Sequence, residues 1–217
     1  MQIAILLFDE ITALDAVGPY EVLANFPGAQ LKFVGERRGR VTSDGGLGLH
    51  VDFTLDELRA ADLLLVPGGF GARKRQHDAT LLSWLREVDQ GTALTASVCT
   101  GALLLAAAGL LRGRRATTHW AFLQDLSAYG ATPVHERVVR DGKYASAAGV
   151  SAGIDLGLAL ALELHGRDVA QAIQLGIEYD PAPPLDAGHP DRVSPALRER
   201  LYRQSHRRDA EIAALAR

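Results

Sequence analysis

Only one cysteine, Cys99, occurs in the 217 residues. That excludes an internal disulfide framework, and it excludes a thiolate zinc cluster within one chain. An excess of positive charge is also missing. Lys and Arg number 23 against 26 Asp and Glu, a net charge of −3, so no basic field points to nucleic acid or an anionic membrane surface. The apolar stretch 102–111 is too short to span a bilayer. The opening "MQIAILLFDEITALD" has no positive n-region and no small-residue cleavage site. It therefore reads as a strand rather than a signal peptide, and the expected compartment is cytoplasmic. No dinucleotide fingerprint or phosphate loop occurs, and His50, His77, His135, His165, His189 and His206 share no metal-ligand spacing. The expectation is a protein without cofactor or metal.

What is present is ordinary for a globular domain: 47% hydrophobic and 23% charged residues in a chain long enough to bury a real core. Apolar runs at 2–8, 31–36, 62–69 and 92–98 predict strands, the first, third and fourth buried on both faces. Patterns at 78–91, 100–109, 151–166 and 167–179 predict helices, and 115–120 predicts a short strand leading into another. Asp141-Gly142 between alternating runs predicts a hairpin over 137–147, and the Gly-Gly in "VTSDGGLGLHVDF" a second one. "TLDE" at 54–57 fits a capping box opening a short helix, and Pro19 after Gly18 fits a helix start. The Pro-rich 180–190 predicts a connector, and 194–216 a polar, Arg-rich final helix with a solvated face. Alternation of strands and helices implies one α/β domain over 1–217, with a mostly parallel central sheet and helices on both faces. Its last part, 185–217, is a C-terminal connector and helix.

In such sheets ligands bind at the carboxyl ends of the strands. There "TASVCTGALL" (95–104) passes from strand to helix at Cys99. A residue at such a turn projects from the sheet top beside the first free N–H groups of the helix, and the positive dipole end favours a thiolate. The N–H groups of Thr100 and Gly101 are placed to stabilise negative charge developing on a substrate. The competing reading is a small buried core residue, common for free cysteine.

"SVCTGALLLAAAGLL", "TTHW", "AAGVSAGIDLGLALA" and the stretch from "ILLFDEITALDAVGPYEVL" to "YDPAPP" resemble the ThiJ/PfpI family of class I glutamine amidotransferase-like proteins. The two nearest branches are isonitrile hydratases and the ligand-sensing halves of AraC-type regulators. The resemblance implies a flavodoxin-like sandwich with a small hairpin extension, a nucleophilic Cys99 and a homodimer. It implies that Asp15 manages the proton, with Asp9, Glu10 and Glu21 as competing carboxylates. An N–H near Gly69 or Phe70 would join that of Thr100 in an oxyanion-type pocket. His119 is a candidate partner for the cysteine or a hydrogen-bonded residue at a helix start. Threonine at position 100, where the protease-like branch has histidine, argues against proteolysis and suggests that its hydroxyl positions substrate or water. The implied substrate is an isonitrile. The alternatives are a ligand sensor without turnover and a glyoxalase- or deglycase-type enzyme. Acid–base switching at Asp15 requires a pKa raised towards neutral, which the apolar "ALDAV" setting favours.

Overall fold

The computed structural model describes residues 1–215. The first half of the chain runs β1 (Gln2–Leu6), α1 (Ala13–Leu23), β2 (Gln30–Gly35), β3 (Gly39–Thr42), β4 (Gly48–Val51), β5 (Phe53–Thr54), β6 (Leu63–Val66), α2 (Phe70–Lys74), α3 (Ala79–Gly91), β7 (Leu94–Val98) and α4 (Gly101–Ala107). There follow β8 (Arg115–Ala116), a 3-10 helix (Trp120–Tyr129), β9 (Thr132–Pro133), β10 (Val138–Asp141), β11 (Tyr144–Ala147), α5 (Ala152–His165), α6 (Arg167–Gly176), α7 (Pro195–His206) and α8 (Asp209–Leu215).

Seven strands form one sheet in the order β10-β11-β7-β6-β1-β2-β5. All neighbours are parallel except the β10–β11 hairpin. Leaving out antiparallel β10 and the two-residue edge strand β5, the strands β1, β2, β6, β7 and β11 run in the flavodoxin-like order 2-1-3-4-5, whose switch point lies between β1 and β6. The continuous apolar runs have the reason expected of them: Ile3, Ile5, Leu63, Leu64 and Leu65 are fully buried, covered by helices from both sides. Strands β3 and β4 make the second hairpin, through a loop in which Gly46 has φ 89°.

Three local expectations need correction. "TLDE" forms a turn and not a helix. Glu57 does reach back to the Thr54 N–H (2.8 Å), but Leu55 donates to Gly35 (3.0 Å) and keeps the segment on the sheet edge. Pro19 lies inside α1, which begins six residues earlier at Ala13. Without an N–H, Pro19 leaves the carbonyl of Asp15 without its helical donor. The final helix is broken at Arg207 and Arg208 into α7 and α8, and its joint does not face solvent alone, as described below. No helix among the described residues is long and apolar enough to cross a membrane.

Candidate active site

The loops after β1, β6 and β7 meet at the carboxyl edge of the sheet, beside the switch point. Cys99 is the turn itself: it follows the last residue of β7 with φ 56°, a left-handed conformation that costs a non-glycine residue energy. Neighbouring strands hold it there. Its N–H is shared between the carbonyls of Ala147 (3.1 Å) and Ala148 (3.0 Å), and its carbonyl accepts the Thr118 hydroxyl at 2.6 Å. Gly101 is required for packing, because a Cβ there would collide with the carbonyl of Val66.

Asp15 comes from the first turn of α1 and is fully buried. It does not cap that helix. Instead its Oδ2 accepts the N–H of Gly68, in the loop after β6, at 3.0 Å. Its Oδ1 has no hydrogen-bond partner. Burial raises the carboxyl pKa from 3.8 to about 7, against the opposing Gly68 hydrogen bond and the nearby thiol. Cys99 lies close enough for the two groups to move one another's titration, without a hydrogen bond of good geometry at Oδ1. Burial also pushes the thiol pKa well above its ordinary 9.0, and the Asp15 charge adds to that rise. The expectation that the helix N-terminus yields a resting thiolate is therefore corrected. The N–H groups of Val150 and Thr100 act on the sulfur in the opposite sense, but desolvation outweighs them.

Thr100 and the glycine loop are interlocked. The Thr100 hydroxyl accepts the Gly69 N–H at 2.9 Å and donates to the Gly69 carbonyl at 3.1 Å. This narrows one expectation and corrects another. The Gly69 N–H is occupied, which leaves Phe70 of the two candidate oxyanion donors, and the Thr100 hydroxyl is spent on the loop rather than turned to substrate. Phe70 follows as the first residue of α2 and lines the cavity. Gly68 is the contact point of the assembly. A Cβ there would approach the Thr100 N at 2.5 Å, the Thr100 Oγ1 at 2.7 Å and the Asp15 Oδ2 at 2.9 Å.

His119 borders the same cavity. Its Nδ1 accepts the Ala121 N–H at 3.3 Å, so it does cap the 3-10 helix. Burial, helped by the charge of His206, lowers its pKa from 6.5 to about 4, so it is neutral near pH 7. The competing carboxylates are elsewhere employed: Asp9 binds Arg37 (2.9 Å) and the Thr42 N–H (2.8 Å), and Glu10 pairs with Lys74 and Arg208. Glu21 lies on an exposed face of α1. The "YDPAPP" landmark lies away from the thiol. Tyr179 donates its hydroxyl to Asp155 at 3.1 Å, and the residues after it are exposed.

The cavity holds about 180 Å³ and is lined by Thr12, Gly69, Phe70, Arg73, Cys99, Thr100, His119, Phe122, Val150 and Ser205. Sequence reasoning missed Thr12, Arg73, Phe122, Val150 and Ser205. Val150 has φ 39°, and no sequence signal announces a β-branched residue in that conformation. A buried, uncharged thiol beside a carboxyl group that titrates near neutrality can do proton-coupled addition chemistry on a small electrophile.

Several known proteins resemble this chain. The chain is 46% identical to an isonitrile hydratase of Pseudomonas putida over 91% of its own length and 86% of the relative's. It is 36% identical to the HTH-type transcriptional regulator CdhR of Pseudomonas aeruginosa, over 61% of this chain and 40% of the regulator. A crystal structure of a ThiJ/PfpI family protein from Pseudomonas syringae superposes with TM-score 0.93 at 36% identity, covering 99% of this chain and 90% of that one. The sequence profile of the DJ-1/PfpI family matches residues 1–163. The chain therefore belongs to the DJ-1/PfpI family.

Proposed function

We propose that this protein is an isonitrile hydratase-type enzyme, adding water to R–N≡C to give an N-substituted formamide. The observation that carries the reading is the buried pair of Cys99 and Asp15, with the carboxyl pKa at about 7. Likeness to the P. putida hydratase along most of both chains supports the choice of substrate.

The chemistry follows from that pair. In the resting pair Asp15 is the stronger acid, so carboxylate and thiol coexist. Asp15 takes the thiol proton as sulfur attacks the terminal isonitrile carbon, then gives that proton to the same carbon. The product is a thioimidate, R–N=CH–S–Cys99. Asp15, ionised again, takes a proton from water as the water oxygen adds to this carbon. Nitrogen gains a proton, the C–S bond breaks, and the thiol is restored, so one R–N≡C and one H₂O become R–NH–CHO. A general acid–base works best with a pKa near the operating pH, and burial gives Asp15 that value. The Thr100 and Val150 N–H groups stabilise sulfur while it carries charge. Thr100 acts through its hydroxyl as a positioning residue for the Gly69–Phe70 loop, and neutral His119 shapes the cavity wall.

Likeness to the regulator CdhR favours a second reading, a sensor that binds a small molecule without turnover. The deciding experiment incubates purified protein with cyclohexyl isocyanide, methylglyoxal and a peptide in parallel. Formamide from the isonitrile alone is expected. Binding of the isonitrile with no formamide would establish the sensor reading instead.

A further inference from the structure

The final helix pair has no buried residue along α7, yet its joint is fastened over the Cys99 cavity. Ser205, in the last turn of α7, lines that cavity together with Phe70, Arg73 and Phe122. Several contacts hold it there. His206 lies 4.6 Å from the Phe122 ring and stacks on Tyr202 at 4.2 Å. The Arg208 guanidinium lies 3.5 Å from the Phe70 ring centre and pairs with Glu10 at 3.4 Å. The fastening at the core of the joint is Arg73. Its Nη2 meets Asp209 Oδ1 at 2.6 Å, and its Nη1 donates to the Ser205 carbonyl at 3.2 Å.

Arg73 is a buried cation, with its side chain 8% exposed and its Nε without any hydrogen-bond partner. It also stacks on Phe122, 4.1 Å from the ring centre. Asp209 is the carboxylate paired with it, and Asp209 arrives from α8. Removing the partner of a buried charge is costly, because the charge left behind cannot be solvated. Lifting the joint would do that to Arg73. The segment is therefore held above the thiol by its joint while most of α7 remains exposed.

We propose that the α7–α8 joint is the specificity wall of this site, with Ser205 limiting the size of the group that the reactive substrate carries. The proposal rests on the hydratase reading for its substrate, an isonitrile, where the limited group is the one on nitrogen. The small hydroxymethyl side chain of Ser205 leaves part of the 180 Å³ open, and Asp209 fixes how far the wall stands from Cys99.

The test uses two variants of the full chain and two readouts. Ser205→Leu fills the space, with Ser205→Val as the milder filling variant should the first not fold. Asp209→Ala releases the joint. The first readout is the ratio of kcat/KM for benzyl isocyanide over methyl isocyanide. The second needs no turnover: the ratio of alkylation rates for N-phenylmaleimide over N-ethylmaleimide, read by mass at the sole cysteine. The filling variant should lower both ratios about fivefold and Asp209→Ala should raise them by a similar factor, as expected from one lost or added contact. Unchanged ratios in both variants, folded by circular dichroism, would overturn the wall. Should wild type hydrate no isonitrile while the maleimide ratios still move, the wall stands and the hydratase reading falls. Should isonitriles turn over with neither ratio moving, the wall falls alone.

Discussion

Thr100 grips Gly69 from both sides, taking its N–H at 2.9 Å and giving its own proton to the same residue's carbonyl at 3.1 Å. The loop after β6 is thereby locked to the elbow after β7, with the Asp15 carboxyl bonded one residue away at Gly68. Replacement by valine keeps the shape and removes both bonds. Thr100→Val is expected to cost about 1–3 kcal/mol in chemical denaturation, the usual penalty for stranding buried backbone groups. Its kcat should fall on the order of tenfold to a hundredfold through misplacement of the loop. A variant as stable as the wild type would show the grip to be incidental.

Cys99→Ala tests the nucleophile. Hydration of cyclohexyl isocyanide, followed as formamide by NMR, should fall by on the order of a thousandfold or more, because the covalent route disappears. The fold should survive, since a small side chain is replaced by a smaller one in a pocket already built by its neighbours. Retained turnover would move the chemistry to another group.

Asp15 carries a pH signature as well as an activity. Its native pKa of about 7 lies above the ordinary 3.8, so the folded state holds this proton more tightly than the unfolded chain does. That contribution is fully present below about pH 4 and is lost as pH rises through about 7. Asp15→Asn cannot ionise, so it should gain stability relative to wild type between about pH 5 and about pH 8, by a few kcal/mol, while losing activity. A constant stability difference across that range would show that the carboxyl is not desolvated as described.

His119 pulls in the opposite direction. Its pKa is depressed from 6.5 to about 4, so its contribution is present above pH 6.5 and is lost as pH falls through 4. Two consequences can be measured. Asp15→Asn should lose stability more steeply in acid than wild type does, because the compensating rise is gone. In rate profiles, the limb near neutrality should remain in His119→Gln, since the imidazole is already neutral there. Loss of that limb would assign it to His119 instead of Asp15.

Much of the architecture could be read from local pattern. The buried strands declared themselves as unbroken apolar runs, and Asp141-Gly142 marked a hairpin that pairs Asp141 with Tyr144. The elbow was legible too, because a strand, a cysteine and a glycine followed by small residues leave few other conformations. The pairing of Cys99 with Asp15 was not legible from spacing. It needed the resemblance, since 84 residues separate them and only the sheet order brings them together. What escaped entirely was decided by long-range contact. Arg73 reads as one more surface arginine until Asp209 and Ser205 cover it. The final helix reads as solvated because α7 is, and nothing in its pattern marks the joint. The turn at "TLDE" failed as a helix because Gly35, twenty residues before Leu55, claims the Leu55 N–H.

The family profile ends at residue 163, yet the cavity wall is completed by Ser205 and fastened by Asp209. Reactivity and fit thus have separate addresses in the gene. Substitutions or insertions near the C-terminus that keep a partner for Arg73 can remodel what enters without disturbing the sheet, the elbow or the Asp15 carboxyl. A lineage can inherit the reaction machinery intact and exchange the residues from Ser205 onward to change its diet.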